Sequence, residues 1–550
     1  MNKDDTYNKI KPLFPLSYEE DSLASVISEI KKSLYGTLES DDQPRYPGSY
    51  HEEAYQQLVD KYSKIDAEGS DHTSFLNDVV NDLFNGVPRW RSPNIAYNIC
   101  APPNMAATAI YALALDENIH NVNNGLSGNT LVAEQAVIKI LAELANIETK
   151  PYGLFTFGGT STNLYAMKIG IRKCSPEATF SGLDGKVKVL LTEDCHFSHA
   201  SNADWLGIGL DNALTIKANK DRTSDLTDAY KKAREIVEDG YKLAAIIING
   251  GTTYGHTIDD VKGFVELRNR LVKEYKLPYK PHIHVDSVIG WAWLAFKGYG
   301  FDKNPLGISP EALLFLKKQH ERISQVKLAD SWGIDFHKGL GATPASSSMV
   351  MVNNFEDIAL LSKKVSSKTE IHHLAHEFSS FSPADYTLET TRAAGAALAA
   401  LVSLRVLGLD GIRRNLANLV EQTILMRKLI ADSKDMLTLN TTSEGFVTMV
   451  RFLPPGRSTK DIHEYTADEL QEDNKYLSAF FKWDKETRID KGIGVEYSVS
   501  SSYIKAAGGM GVAAIKLYPT SPHFNAASAS RMVQTLVDQK RIFDTTVRVK

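Results

Sequence analysis

Between residues 152 and 352, short apolar runs rich in β-branched residues alternate with segments of helical periodicity. No other feature restricts the fold of this chain as strongly. The runs are Tyr152–Phe157, Val187–Leu191, Ala244–Ile248, His282–Val285, Gln325–Leu328 and Ser346–Val352. Helix-patterned segments, among them Thr162–Arg172, Leu226–Glu238 and Ile258–Glu274, separate several of them. Strands that alternate with helices pair in parallel and carry helices on both faces, so the prediction is a largely parallel, two-sided α/β sheet.

The flanks differ in character. Residues 1–95 are polar, with amphipathic helices predicted over Ser17–Leu34 and His51–Lys64 and a turn-rich stretch at Asp41–Ser49 between them. They read as an N-terminal arm. Residues 96–385 form the predicted large domain, and residues 386–550 a smaller third region. The latter opens on an Ala-rich helix, passes through a strand at Gly445–Phe452 and closes on a helix at Ala526–Lys540. The apolar stretch Ala393–Leu407 is too short to span a bilayer and carries Arg405, so it is expected to be a buried helix, with no membrane partner.

A net charge of −5 argues against a nucleic-acid partner, which usually demands a basic surplus. Cys100, Cys174 and Cys195, without a CxxC pair, suggest reduced thiols and a cytoplasmic protein. The first residues, MNKDDTYNKIKPLF, lack the apolar segment of a secretory signal.

In an open α/β sheet, ligands bind beyond the carboxyl ends of the strands. Four loops placed there carry suggestive residues. In FTFGGTSTN, a strand leads through Gly158 and Gly159 to Thr160, Ser161 and a helix, a pattern suited to one phosphate group. It lacks the lysine of a nucleoside-triphosphate loop. In EDCHFSH, His196 follows a strand, where imidazole can stack on a flat ring, shuttle protons or simply hydrogen-bond. In PHIHVDS, Asp286 ends an apolar strand, where a carboxylate needs a cation or several donors. In ADSWGIDFHKGLG, Lys338 lies in a Gly-rich turn. It is either a surface lysine or a desolvated amine of lowered pKa, the form a carbonyl-condensing nucleophile requires. Together the four supply the inventory for pyridoxal 5'-phosphate.

The order GGTSTN (158–163), HFS (196–198), GTTYGHTID (251–259), HVD (284–286) and ADSWGIDFHK (329–338) resembles the group II pyridoxal-phosphate-dependent decarboxylases. That family includes aromatic amino acid, glutamate and diaminobutyrate decarboxylases. The resemblance runs from about Pro102 onward. It implies fold type I, with an N-terminal arm, a mostly parallel seven-stranded large domain and a smaller α+β C-terminal domain. It implies a homodimer with active sites at the interface, and decarboxylation of an L-amino acid to an amine and carbon dioxide. Lys338 would hold the cofactor as an internal aldimine, His196 would stack on its ring, and Asp286 would pair with the ring nitrogen. Gly159, Thr160 and Ser161 would cradle the phosphate. Thr253, His337 and Ser331 would complete the cofactor contacts.

Departures from the family pattern bear on the outcome. Ser287 and Val288 follow HVD where two alanines are usual, and Gly339 follows the lysine where tryptophan is common. Residues 363–385 contain no tyrosine, the residue with which many members return a proton to the substrate carbon. His372, His373 or His376 stand as replacement donors, and oxidative decarboxylation–deamination or carbon–carbon cleavage as alternative reactions. Arg392 is a candidate for a carboxylate anchor or for a structural ion pair. Asn98, Pro102, Pro103 and the segment His120–Ser127 are candidates for the substrate wall.

Overall fold

Helical crossovers carry the chain back in the same direction again and again, and a seven-stranded sheet results. A computed structural model describes residues 13–17, 21, 23–48, 52–67, 69–338, 343–363 and 381–547. The strands of this sheet are β1 (Tyr152–Thr156), β2 (Val187–Thr192), β3 (Ala213–Ile216), β4 (Lys242–Asn249), β5 (His282–Asp286), β6 (Ser331–Asp335) and β7 (Ser348–Val352). Their spatial order is β1-β7-β6-β5-β4-β2-β3. Every pair among β6, β5, β4, β2 and β3 is parallel, while β7 runs antiparallel to both β1 and β6. The carboxyl ends of β1, β2, β4, β5 and β6 therefore open on one edge of the sheet.

β4 is apolar almost throughout and buried from Leu243 to Asn249, as a central strand with helices on both faces must be. On one face lies the helix α1 (Gly159–Cys174), whose Ala166, Met167 and Ile171 pack on Val189, Ala245 and Ile247. On the other, Leu190, Ile246 and Ile248 meet Phe264, Leu271 and Trp293 in the main core.

One predicted strand is not a strand. Gln325–Leu328 belongs to a 3-10 turn, Ser324–Leu328, that follows the helix Pro310–Ile323, and the sheet receives Ser331–Asp335 instead. The polar residues of SWGID disguised it. All five are buried because Ser331 and Asp335 find partners inside the protein.

A second, five-stranded sheet takes Met436–Thr438, Thr448–Phe452, Glu496–Lys505 and Gly511–Leu517 from the C-terminal region. Its fifth strand, Ile95–Ala96, pairs in parallel with Glu496–Tyr497, so the chain leaving the arm is stitched into this sheet before it enters the large one. Helices Ala467–Thr487 and Ala526–Thr546 cover it around Phe452, Phe480, Leu536 and Phe543.

The Ala-rich segment opens a helical stretch, Gly395–Ser433, that is long and apolar enough by composition to cross a membrane. Gly408, at φ 61°, breaks it into two helices. The first packs against Met105–Asp116, with Ala397, Ala400 and Leu404 buried in the main core. In the arm, helices form at Leu23–Gly36, Glu52–Tyr62 and His72–Leu83.

Arg392 is a structural residue. Its guanidinium lies 2.7 Å from Glu134 Oε1 and donates to the carbonyls of Asn121 and Phe155. Glu134 also accepts the Phe155 amide, at 3.0 Å, which pins β1 to the helix Leu131–Leu144.

Candidate active site

The strand ends that share one edge of the sheet deliver their polar residues to one cavity of about 210 Å³. β1 and α1 supply Gly159, Thr160 and Asn163; the turn after β2 supplies Asp194, His196 and Ser198. Asn249, Gly251, Thr252 and Thr253 follow β4, Asp286, Val288 and Ile289 close β5, and Asp335, His337 and Lys338 end β6. Of the predicted cofactor residues, the structure thus brings together Lys338, Asp286, His196, Thr160, Gly159, Thr253 and His337.

Two others fall outside the cavity wall. The Ser161 hydroxyl turns back to donate to the Gly158 carbonyl at 2.5 Å, closing the first turn of α1. Ser331 sits at the start of β6, at the opposite end from the cavity, with its hydroxyl 2.7 Å from both His282 and His284. The expected donors His372 and His373 lie outside the described residues, as does Gly339.

Asp286 is held by two side chains. Its Oδ2 lies 2.7 Å from His199 Nε2 and accepts the Asn163 amide at 3.1 Å, while Oδ1 is buried with no hydrogen-bond partner. Burial works against the charge of Asp286, but the His199 hydrogen bond and charge outweigh it and hold the carboxyl well below its usual range. The same contact holds the His199 imidazole above its ordinary value despite complete burial. The pair is therefore ionic, with one carboxylate oxygen left over for a ligand.

His199 was not singled out by sequence. The available signal was its position three residues after His196, where the His199 amide donates to the His196 carbonyl at 3.0 Å as the helix Ser198–Trp205 begins. His196 itself is neutral, because burial pulls its pKa down to about 4. Its Nδ1 lies 2.8 Å from Ser198 Oγ.

Lys338 differs from expectation. Burial disfavours its charge, but Asp335, with Oδ2 2.9 Å from Nζ, raises the pKa above the ordinary lysine value instead of lowering it. The segment after Ile95–Ala96 lies alongside, since Cys100 forms a β-bridge with Lys338 and the Ala101 amide donates to the His337 carbonyl at 3.2 Å.

Glycine at 159 is dictated by space: a Cβ there would stand 2.6 Å from Asp335 Oδ2. With Gly158 at φ 126°, it lets the backbone approach a ligand at the positive end of the 16-residue helix α1. Val288 lines the cavity, whereas Ser287 faces away and donates to the Gly333 carbonyl at 2.7 Å.

These groups fit pyridoxal phosphate. An amine stands inside the cavity, an unpartnered oxygen of an ionised carboxylate suits a protonated ring nitrogen, and a glycine-led helix N-terminus suits a phosphate.

No protein-family model matches the chain. L-2,4-diaminobutyrate decarboxylase of Rhizobium meliloti (strain 1021) is 25% identical over 324 residues, 57% of this chain and 57% of its own length. Acidic amino acid decarboxylase GADL1 of Bos taurus is 26% identical over 142 residues, 26% of this chain and 27% of its own. The chain thus matches little more than half of these relatives' length at most. Among solved structures, mouse CSAD in apo form superposes with a TM-score of 0.75 at 16% identity, covering 94% of this chain and 99% of that one. The glutamate decarboxylase domain of a Vibrio parahaemolyticus diaminobutyrate-pyruvate transaminase and L-2,4-diaminobutyrate decarboxylase gives 0.73 at 18%, covering 97% and 99%.

The chain shares with these solved structures an α/β fold built on a mostly parallel seven-stranded sheet. Over part of its length, the sequence is similar to diaminobutyrate and acidic amino acid decarboxylases.

Proposed function

We propose that this chain is a pyridoxal-phosphate-dependent carboxy-lyase that converts an L-amino acid to its amine and carbon dioxide. The observation that carries the reading is the convergence of Lys338, the ionised Asp286 and the neutral His196 on one cavity. When bound, the cofactor supplies a conjugated ring that accepts the electron pair left by the departing carboxyl group.

The chain's own residues do the rest. Asp286 would offer Oδ1 to the ring nitrogen and favour a proton there, and His199 keeps Asp286 ionised for that role. Gly159 and Thr160 would hold the phosphate at the start of α1, and Lys338 would supply the amine that holds the carbonyl group. His196 and Val288, on the cavity wall, would confine the ring, and Thr253 is among the polar residues that would orient it. Holding the scissile bond perpendicular to the ring plane is the positioning task that selects decarboxylation.

A homodimer in the cytoplasm completes the proposal. Exposed Met105, Leu115 and Val406 support an interface on the helices that carry them, and three unpaired cysteines support a reducing compartment. Sedimentation of the purified chain tests the dimer.

The absence of tyrosine from residues 363–385 favours one second reading, oxidative decarboxylation–deamination. Incubation with pooled L-amino acids, with and without oxygen, separates the two. Equal amine and carbon dioxide under both conditions support the carboxy-lyase. Aldehyde, ammonia and peroxide that appear only with oxygen support the second reading, and no product from any amino acid overturns both.

A further inference from the structure

Among the described residues, Asp335 is the closest charged neighbour of Lys338. Its side chain is fully buried at the end of β6, where Oδ1 accepts the Ser348 hydroxyl at 2.6 Å. Oδ2 lies 2.9 Å from Lys338 Nζ and 3.8 Å from His337 Nε2, and a Cβ at residue 159 would stand 2.6 Å from it. The geometry is fixed from three sides: by Ser348 on the paired strand β7, by Gly159 at the start of α1, and by the Trp291 indole, which donates to the Asp335 carbonyl at 3.0 Å.

Among the described residues, the other titratable groups around Lys338 do not compete for this place. Asp286 is committed to His199. Asp194, elsewhere on the cavity wall, is paired with Arg222. His196 and His337 both have lowered pKa values, chiefly from burial, and carry no charge near neutrality. Cys100, on the segment bridged to Lys338, has a thiol raised by burial. A lysine enclosed in this way without an anion would be driven towards the neutral amine. Here burial is outweighed by Asp335, with smaller contributions from Asp286 and Cys100, and the ammonium form is favoured.

We propose that Asp335 is a positioning residue for Lys338: it aims the ammonium group into the cavity and retains its proton until a carbonyl ligand arrives. The inference rests on the reading of Lys338 as the condensing amine. Before condensation, the ammonium gives one proton to solvent. The nitrogen lone pair then bonds to the carbonyl carbon, and the carbonyl oxygen leaves as water with the two remaining N–H hydrogens. Asp335 thus sets how often the chain is ready to react, and loading is slow at neutral pH and accelerates as the pH rises.

The test uses the full chain without cofactor. Lysines are labelled with trace acetic anhydride across a pH series, and acetylation of Lys338 is quantified by peptide mass spectrometry against exposed Lys231 as an internal reference. In the wild type, Lys338 should titrate above Lys231. Asp335→Asn should lower the Lys338 midpoint by at least about one pH unit, a roughly tenfold gain in labelling near neutrality. Ser348→Ala, which frees Oδ1 but keeps the charge, should give a smaller shift in the same direction and guards against misfolding of the first variant. The absorbance rise on adding pyridoxal phosphate near neutral pH should be faster in Asp335→Asn by a comparable factor. A wild-type Lys338 that titrates at or below Lys231, or a midpoint that stays put in both variants, overturns the proposal. A labelling shift as expected in a chain that takes up no pyridoxal phosphate supports the Asp335–Lys338 pairing and overturns the cofactor reading, so the two failures are distinct.

Discussion

Replacing His199 with leucine removes both the hydrogen bond and the charge that offset the burial of Asp286. The imidazole has no exposed surface, and its Nε2 lies 2.7 Å from Asp286 Oδ2; only the Asn163 amide, at 3.1 Å, would remain. Removing one partner of a buried ion pair costs about 3–5 kcal/mol, because the other charge is left uncompensated. The pH dependence follows from the directions of the two shifts. Asp286 is depressed, so its share of the stability is whole above its unfolded value of 3.8 and is lost as pH falls through the lower folded value. His199 is raised, so its share is whole below its unfolded value of 6.5 and is lost as pH rises through the higher folded value. Both shares are complete between 3.8 and 6.5. Urea unfolding of the cofactor-free chain, followed by circular dichroism at about pH 5 and about pH 9, should show the leucine variant least stable relative to wild type at the lower pH. His199→Gln, which keeps a neutral donor, should recover part of the loss at both. A deficit that is equal at the two pH values, or larger at the higher one, would refute the ionic pairing.

Three further outcomes follow from the packing. Gly159→Ala places a methyl group 2.6 Å from Asp335 Oδ2, so it should cost roughly 1–3 kcal/mol and weaken pyridoxal phosphate retention, read by thermal melting and by cofactor loss on gel filtration. Arg392→Ala strands the fully buried Glu134 and should lower stability by about 3–5 kcal/mol in urea, while the Lys338 labelling profile stays unchanged. Val288→Ala removes two methyl groups from the cavity wall at a cost of about 1.5 kcal/mol, and should shift the absorbance maximum of the bound cofactor.

The sheet could be read from sequence wherever its strands were apolar. β4, with its run of leucine, alanine and isoleucine, needs no partner beyond the core, and its pattern says so. β6 escaped because its polar ends are satisfied across space, Ser331 by His282 and His284 on the neighbouring strand and Asp335 by Ser348 and Lys338. The same holds at the site. Lys338, Asp286 and His196 stand in recognisable motifs, but their charge states depend on Asp335 and His199, whose roles exist only once the chain has folded. Burial alone predicted a lysine of lowered pKa, and one carboxylate at 2.9 Å reverses that sign. At Ser161 the motif position suits a phosphate, while the hydroxyl closes the first turn of its own helix.

The central claim is that Lys338 is the amine that captures pyridoxal phosphate in this cavity. Incubating the purified chain with pyridoxal phosphate, reducing with borohydride and mapping the modified peptide by mass spectrometry tests it directly. The expected result is a single phosphopyridoxyl group, on Lys338, that is lost in Lys338→Ala. A label on another lysine, such as Lys516, or no stable label on the folded chain, would contradict it.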